Sequence, residues 1–245
     1  MTMIITAHLE DCILIAADKR TMYADLETGK MRLETDEEQK IQIWCRGAIA
    51  STGETVFLDR IANHFINIRH NDTEFNQMAA INDEIEKRLL EGVPKEVLIN
   101  NTIIFSMYDG TQTLLYSIPI KPFFQIFDKN GVSIARVHMD EIKKKAVRVS
   151  CYNLPPDMSN LQDFQRNLKP MEYFEKEEDF INYYIQSLKI IFASHASIDP
   201  CITSSFDLYI QSCQTGSAIA LHIPNHTLPS PIPDDLNYWD KPNAF

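Results

Sequence analysis

The fold of this chain is decided by its first stretch, Thr2-Met3-Ile4-Ile5-Thr6-Ala7-His8-Leu9-Glu10-Asp11-Cys12-Ile13-Leu14-Ile15-Ala16-Ala17-Asp18. Two apolar runs, at 3–5 and 12–17, flank a polar turn at 8–11, which is the pattern of a β-hairpin. The second run is apolar without alternation, as in a strand that is buried on both faces. The first strand begins where the second ends, so we expect Thr2 and Asp18 to be near neighbours.

Thr2 directly follows the initiator methionine, and its small, uncharged side chain favours removal of Met1. Removal would leave a free α-amine beside the Thr2 hydroxyl. Such an amine has a pKa of about 7.7–8.0, so a sizeable fraction is neutral at physiological pH and can accept a proton. A hydroxyl with a base in the same residue is an activated nucleophile. Composition alone, by contrast, favours an ordinary exposed terminus.

Several residues of the N-terminal part resemble the corresponding half of a proteasome β-type subunit, the threonine branch of the N-terminal-nucleophile (Ntn) hydrolases. They are Thr2, Asp18 with the following Lys19-Arg20, Lys40, and the stretch Gly-Ala-Ile-Ala-Ser-Thr-Gly at 47–53. The spacing from Thr2 to Asp18 is that of the family, without a gap. The resemblance covers roughly the first seventy residues. Departures in the second half fit a distant bacterial homologue better than a standard subunit.

The resemblance implies a catalytic site in which Thr2 is the nucleophile and the Asp18/Lys40 pair places a positive charge beside it. A cation near the α-amine lowers the pKa of that amine and stabilises negative charge on the threonine oxygen. A backbone N–H in the Ser51 region would be the oxyanion donor. Asp199, before the predicted strand at 206–212, would support the amine. Without the resemblance, Lys40 would be interpreted as a solvated lysine at a strand end.

The resemblance also implies three substrate-binding residues. Arg20 and Thr21 would border the cleft, with the Thr21 backbone available to pair with an extended substrate. Ile49 would form the floor of a specificity pocket, although such a residue is more often part of the core. The family's supporting serines have no clear counterparts, and Thr203 and Ser150 are the nearest candidates.

Composition excludes several other classes of function. The net charge of −11 argues against nucleic-acid binding, which needs basic clusters. The sequence contains no signal-peptide pattern and no apolar run long enough to cross a bilayer, so we expect no membrane partner. The histidines show no metal-binding spacing, and there is no P-loop, so we predict no metal and no cofactor. The five scattered cysteines indicate reduced thiols in a cytoplasmic protein.

The order of predicted elements is that of a four-layer αββα sandwich, the Ntn-hydrolase fold. Apolar periodicity predicts helices after Glu54, between 75 and 92, and over 177–195. Further strands are expected at 40–44, 48–50, 102–108, 113–117, 146–152, 206–212 and 217–223, with a surface hairpin over 21–39. We therefore predict one Ntn-hydrolase domain at 1–223 and a proline-rich arm at 224–245.

Two classes of function remain open. The first is a threonine amidohydrolase, a peptidase that acts on peptide or amide substrates through an acyl-enzyme. The second is a non-catalytic assembly subunit on the same fold, and a small-amide hydrolase is a further alternative. The Thr2/Asp18/Lys40 combination favours the enzyme. The resemblance also implies a homo-oligomer, a ring or stack, for which the arm after Ile223 and the apolar stretch 123–127 would suit a neighbour's surface.

Overall fold

The computed structural model describes residues 2–25, 28, 30–68, 76–124, 139–151, 157–225 and 233. Met1, residues 125–127 of the apolar stretch and nearly all of the arm at 224–245 lie outside the described residues. The described residues form strands β1 (Met3–His8), β2 (Cys12–Asp18), β3 (Thr21–Ala24), β4 (Met31–Thr35), β5 (Ile41–Trp44), β6 (Gly47–Thr52), β7 (Thr102–Tyr108), β8 (Thr113–Pro119), β9 (Asp140–Glu141), β10 (Ala146–Cys151), β11 (Phe206–Ser212) and β12 (Ala218–Ile223). Their helices are α1 (Thr55–Ile66), α2 (Gln77–Leu90), α3 (Lys95–Ile99), α4 (Ser159–Arg166) and α5 (Glu177–Ala196), with single 3-10 turns at Lys121–Phe124 and Met171–Tyr173.

The strands form two antiparallel five-stranded sheets and a two-stranded ribbon. The first sheet has the order β10-β1-β2-β11-β12, and the second has the order β5-β6-β7-β8-β9. Strands β3 and β4 pair with each other as the ribbon, which is the surface hairpin predicted for 21–39. The N-terminal hairpin therefore lies in the middle of the first sheet, with β1 and β2 each paired on both sides.

The predicted hairpin β1–β2 forms as expected, with Ile4 opposite Ala17. Every residue of β2 is buried. Its alternate side chains enter two different cores: Ile13 and Ile15 contact the cluster between the two sheets, whereas Leu14 and Ala16 pack toward α5. A strand in contact with two cores needs apolar residues at successive positions, which explains the absence of alternation in its sequence.

Helices pack against one face of each sheet. Helices α1 and α2 pack on the second sheet around Phe57, Phe65 and Ile81. Helix α5 lies on the first sheet through Phe180, Leu188 and Phe192, and α4 adds Leu161 and Phe164 to the same cluster. The apolar residues whose helical spacing predicted α1, α2 and α5 form the buried faces of these helices.

The predicted four-layer αββα sandwich is wrong as a description of this chain. All strand pairings among the described residues are antiparallel, and the helices found in addition to α1, α2 and α5 are only the five-residue α3 and the eight-residue α4, neither of which the sequence predicted. In its described part, 157–176, the polar segment between β10 and α5 does not supply a second long helix beside α5. The outer strands β10 and β12 are accordingly only partly buried, and the cover of the first sheet is irregular. The division into a domain at 1–223 and an arm stays a prediction.

Candidate active site

Asp18 organises the N-terminal end of β1. Its side chain is fully buried, and one carboxylate oxygen accepts a 2.7 Å hydrogen bond from the Met3 N–H, directly after Thr2. The other oxygen accepts the Arg20 N–H at 2.9 Å. The backbone that carries Thr2 is thus tied to the end of β2, as the hairpin pattern predicted, and Thr2 itself is buried.

Lys40 joins this centre from the second sheet, at the entry to β5. Its ammonium donates to Asp18 Oδ1 at 3.0 Å and to the Arg20 carbonyl at 2.6 Å. The Lys40 side chain is 8% exposed, so the ion pair lies in the interior and the alternative of a solvated lysine does not hold. Burial lowers the pKa of Lys40, while the Asp18 carboxylate acts in the opposite direction.

An open cleft lies between this centre and α1, and its empty space of about 530 Å³ includes open solvent. Its lining brings together five of the predicted site residues, Thr2, Thr21, Lys40, Ile49 and Ser51. Ile49 is also part of the core between the second sheet and α1, so its two interpretations are not exclusive.

Arg20 and Asp199 do not line the cleft. The Arg20 guanidinium donates to both carboxylate oxygens of Asp36, at 2.6 and 2.8 Å, and to the Pro200 carbonyl at 2.7 Å. Its hydrogen bonds with Asp36 raise the pKa of Arg20. Asp199 is buried in the turn between α5 and β11, where its Oδ1 accepts the Cys201 N–H at 2.9 Å. Arg20 therefore connects the Asp18 region to the turn that holds Asp199.

The two candidate supporting hydroxyls lie on different elements. Ser150 is on β10, opposite Ile4 of β1, and Thr203 is buried in the connection that precedes β11. Neither residue lines the cleft. Cys151, which pairs with Met3, is buried enough to raise the pKa of its thiol to about 12, with the charges of Asp199 and Asp18 adding to the shift.

Sequence reasoning missed two carboxylates of the cleft, Glu38 and Asp59. Asp59 lies on α1 and lines the cleft with Thr55, Leu58 and Ala62. This i, i+3, i+4, i+7 spacing is a single helix face and was available in the sequence, but α1 was interpreted only as a packing helix. Partial burial, followed by the charges of Glu38 and Glu54, raises the pKa of Asp59.

The described parts of the chain contain no group of three or more His, Cys, Asp or Glu side chains arranged to hold a metal ion. In the same residues, no helix is both long enough and apolar enough to cross a membrane.

Comparisons with solved structures identify proteins of similar fold. Anbu (ancestral beta-subunit) from Yersinia bercovieri has a TM-score of 0.60 and 10% sequence identity, over 93% of this chain and 88% of that one. The Anbu Gly-1 mutant from Hyphomicrobium sp. strain MC1 has a TM-score of 0.58 and 16% identity, over 92% and 88% of the two chains. The chain has a fold similar to that of Anbu. No protein-family model and no curated protein matches the sequence.

These findings correct the assignment to the proteasome β-type subunits. The N-terminal resemblance depended on a few residues at matching spacing, whereas the whole chain matches no family model and shares at most 16% of its residues with the two Anbu chains. At that level of identity the likeness extends to the fold alone.

Proposed function

We propose that this protein is an N-terminal threonine amidohydrolase that cleaves peptide bonds through an acyl-enzyme. The observation that carries the proposal is the buried Asp18–Lys40 ion pair, whose carboxylate also holds the backbone directly after Thr2. A buried ion pair is costly to desolvate and contributes little to stability relative to an apolar pair. Its position at the end of a cleft that Thr2 also lines fits a catalytic role.

The reaction uses groups of this chain only. After removal of Met1, the Thr2 α-amine accepts the proton of the Thr2 hydroxyl as the oxygen attacks the substrate carbonyl carbon. A backbone N–H near Ser51 stabilises the oxyanion. The C–N bond then breaks, the leaving amine takes the proton from the α-ammonium, and an ester on Thr2 remains. Water, deprotonated by the same amine, hydrolyses the ester, which releases the acid and restores Thr2.

Lys40 acts through its charge. An ammonium beside the α-amine disfavours protonation of that amine, so more of it is in the basic form, and the same charge stabilises the threonine oxygen during attack. Arg20 and Asp199 are then positioning residues behind the centre, since the contacts of Arg20 with Asp36 and Pro200 support the walls around Asp18. Thr21 is our proposed edge for an extended substrate.

We further propose that the protein works as a homo-oligomer in the cytoplasm. The structural relative from Yersinia bercovieri is described as a beta-subunit, a word for one component of an assembly. An enclosed assembly would keep the nucleophile away from folded proteins. The five cysteines are widely scattered in the sequence, a pattern typical of reduced thiols in the cytoplasm.

The decisive experiment combines intact mass with acylation. We expect protein from its own host to lack Met1 and to gain the full mass of a β-lactone, which opens on the Thr2 hydroxyl without a leaving group. Thr2→Ser should be labelled and Thr2→Ala should not, with the adduct mapped to the N-terminal peptide. Retained Met1, or equal labelling of Thr2→Ala, would overturn the proposal and favour a non-catalytic subunit. If the protein hydrolyses small amides but no peptides, its substrate class is small amides.

A further inference from the structure

We propose that the cleft beside Thr2 selects substrates with a cationic side chain, lysine or arginine, and that Asp59 and Glu38 bind the charged end. This inference rests on the proposed function, because it names the substrate class of the same site. Both carboxylates line the cleft that Thr2 and Lys40 also line.

The shape of the cleft suits a long side chain with a charged end. Leu58 and Ala62 of α1 and Ile49 of β6 give it apolar walls. Asp59 is the neighbour of Leu58 on the same helix face, and it is exposed toward solvent while Leu58 is buried. Lysine and arginine have the complementary form, with an apolar stem that can lie along the walls and a polar head that reaches a carboxylate.

The acidic residues around the cleft differ in whether they have cationic partners. Glu54 is paired with Arg88, and Asp36 is paired with Arg20. In the described part of the chain, Glu38 and Asp59 form no ion pair. The remaining ionisable residue of the lining, Lys40, donates to Asp18 and the Arg20 carbonyl. Two carboxylates thus line the cleft without a salt bridge among the described residues, and the charge of Glu38 also acts on Lys40.

These carboxylates repel each other. Both line the same cleft, and the pKa of Asp59 is raised by partial burial and then by the charge of Glu38. A substrate cation between them would remove this repulsion, whereas an acidic side chain would add to it. Since the described residues provide no third metal-binding side chain here, an organic cation fits the pair better than a metal ion.

A matched series of fluorogenic peptides tests the inference. The residue before the scissile amide is lysine, arginine, norleucine or glutamate, and norleucine is the neutral counterpart of lysine. From the strength of charge-assisted hydrogen bonds we expect kcat/KM for lysine to exceed that for norleucine by about tenfold to hundredfold. Asp59→Asn and Glu38→Gln should each reduce this ratio, and the double variant should bring it near unity. Asp59→Lys should shift the preference toward glutamate.

The control variant is Asp83→Asn, since Asp83 is an exposed carboxylate on α2 outside the cleft. It should leave the lysine-to-norleucine ratio unchanged, which separates a local contact from the effect of net charge. A wild-type ratio near unity, or equal losses in Asp83→Asn and Asp59→Asn, would overturn the inference while leaving the peptidase in place.

A binding measurement covers the case in which no peptide is cleaved. Butylguanidinium and its neutral counterpart butylurea are titrated into Thr2→Ala and observed by NMR. From the chemical shifts of α1 residues we expect a Kd for butylguanidinium at least about tenfold lower than that for butylurea. This difference should be lost in Glu38→Gln/Asp59→Asn. Equal affinities would refute the cation site. Selective binding without any cleavage would refute the proposed function and retain the cation site.

Discussion

At the scale of single residues, the site depends on the hydrogen bonds that the Asp18 carboxylate accepts. Asp18 is fully buried and receives the Met3 N–H, the Arg20 N–H and the Lys40 ammonium. A buried carboxylate is tolerated when its oxygens are hydrogen-bonded and its charge is compensated. Asp18 therefore couples the position of Thr2 to the position of Lys40, and a change in either partner affects the other.

Lys40→Ala should reduce turnover by orders of magnitude and also destabilise the protein. Removing one partner of a buried ion pair leaves an uncompensated charge, which costs about 3–5 kcal/mol. Lys40→Arg, which keeps the charge, should retain the fold. Peptide turnover and urea unfolding measure the two effects. The control is Lys143→Ala, because Lys143 is exposed. Turnover in Lys40→Ala equal to that of the wild type would remove Lys40 from the mechanism.

Asp59→Asn should not lower stability at neutral pH, although it changes the cleft. The folded-state pKa of Asp59 lies above its ordinary value of 3.8, so the folded protein binds a proton more readily at this position than the unfolded chain does. Ionisation of Asp59 therefore weakens folding as pH rises from about 3.8 through the raised pKa. The melting temperature of Asp59→Asn should match the wild type at low pH and equal or exceed it at pH 7. A lower value at pH 7 would indicate a structural role instead.

At the scale of elements, the junction between β6 and α1 sets the width of the cleft. Gly53 has φ +128, and a Cβ added there would lie 1.7 Å from Asn101 Oδ1. That oxygen accepts the Glu54 N–H at 2.6 Å, and the Asn101 amide donates to the carbonyls of Val97 and Leu98. Glu54 in turn caps α1 by accepting the N–H groups of Val56 and Phe57. The junction thus fixes α1, and with it Asp59, relative to Ser51.

Gly53→Ala should reduce both stability and turnover, because it disturbs this junction. Gly92, which follows α2, is a matched control with φ +89 and no atom within 4 Å of an added Cβ. Gly92→Ala should cost only the backbone strain, about 1–2 kcal/mol, whereas Gly53→Ala adds a steric clash and should cost more. Chemical unfolding and peptide turnover distinguish the two variants. Equal losses of stability would show that Asn101 adjusts freely, and the junction would then not determine the cleft.

At the scale of the whole molecule, several large apolar side chains of the described residues are exposed. They include Leu90, Tyr173, Ile190 and Ile198, with exposures of 89, 69, 63 and 53%. Single exposed apolar residues are ordinary, but surfaces that are buried on assembly are enriched in such side chains. They agree with the proposed homo-oligomer without identifying its interface.

Light scattering on the purified protein tests the proposed assembly. We expect a mass that is a multiple of 28.2 kDa at micromolar concentration, and dilution should reveal any weak association. Cleavage of the fluorogenic peptides should follow the assembled fraction. A mass near that of one chain would refute the assembly, and an unenclosed peptidase would then be less plausible than a small-amide hydrolase.

The sequence by itself determined the elements whose signals are local. The hairpin β1–β2 could be predicted because both apolar runs and the turn lie within seventeen residues. The closeness of Thr2 to Asp18 followed from this hairpin. Helices α1, α2 and α5 have apolar residues at helical spacing, so each helix could be predicted from its own sequence. Residues 206–212 were predicted with the bounds that β11 has.

Only the tertiary structure decided which charges are paired and how the layers are covered. Arg20 was expected at the cleft, yet it contacts Asp36 and Pro200, the second of which is 180 residues away. Glu54 caps α1 and Asp59 lies within it, but Glu54 pairs with Arg88, whereas Asp59 forms no ion pair among the described residues. Such differences depend on distances between segments that are remote in sequence. Neither local periodicity nor a short motif contains those distances, which is why the sandwich and the family assignment were both wrong.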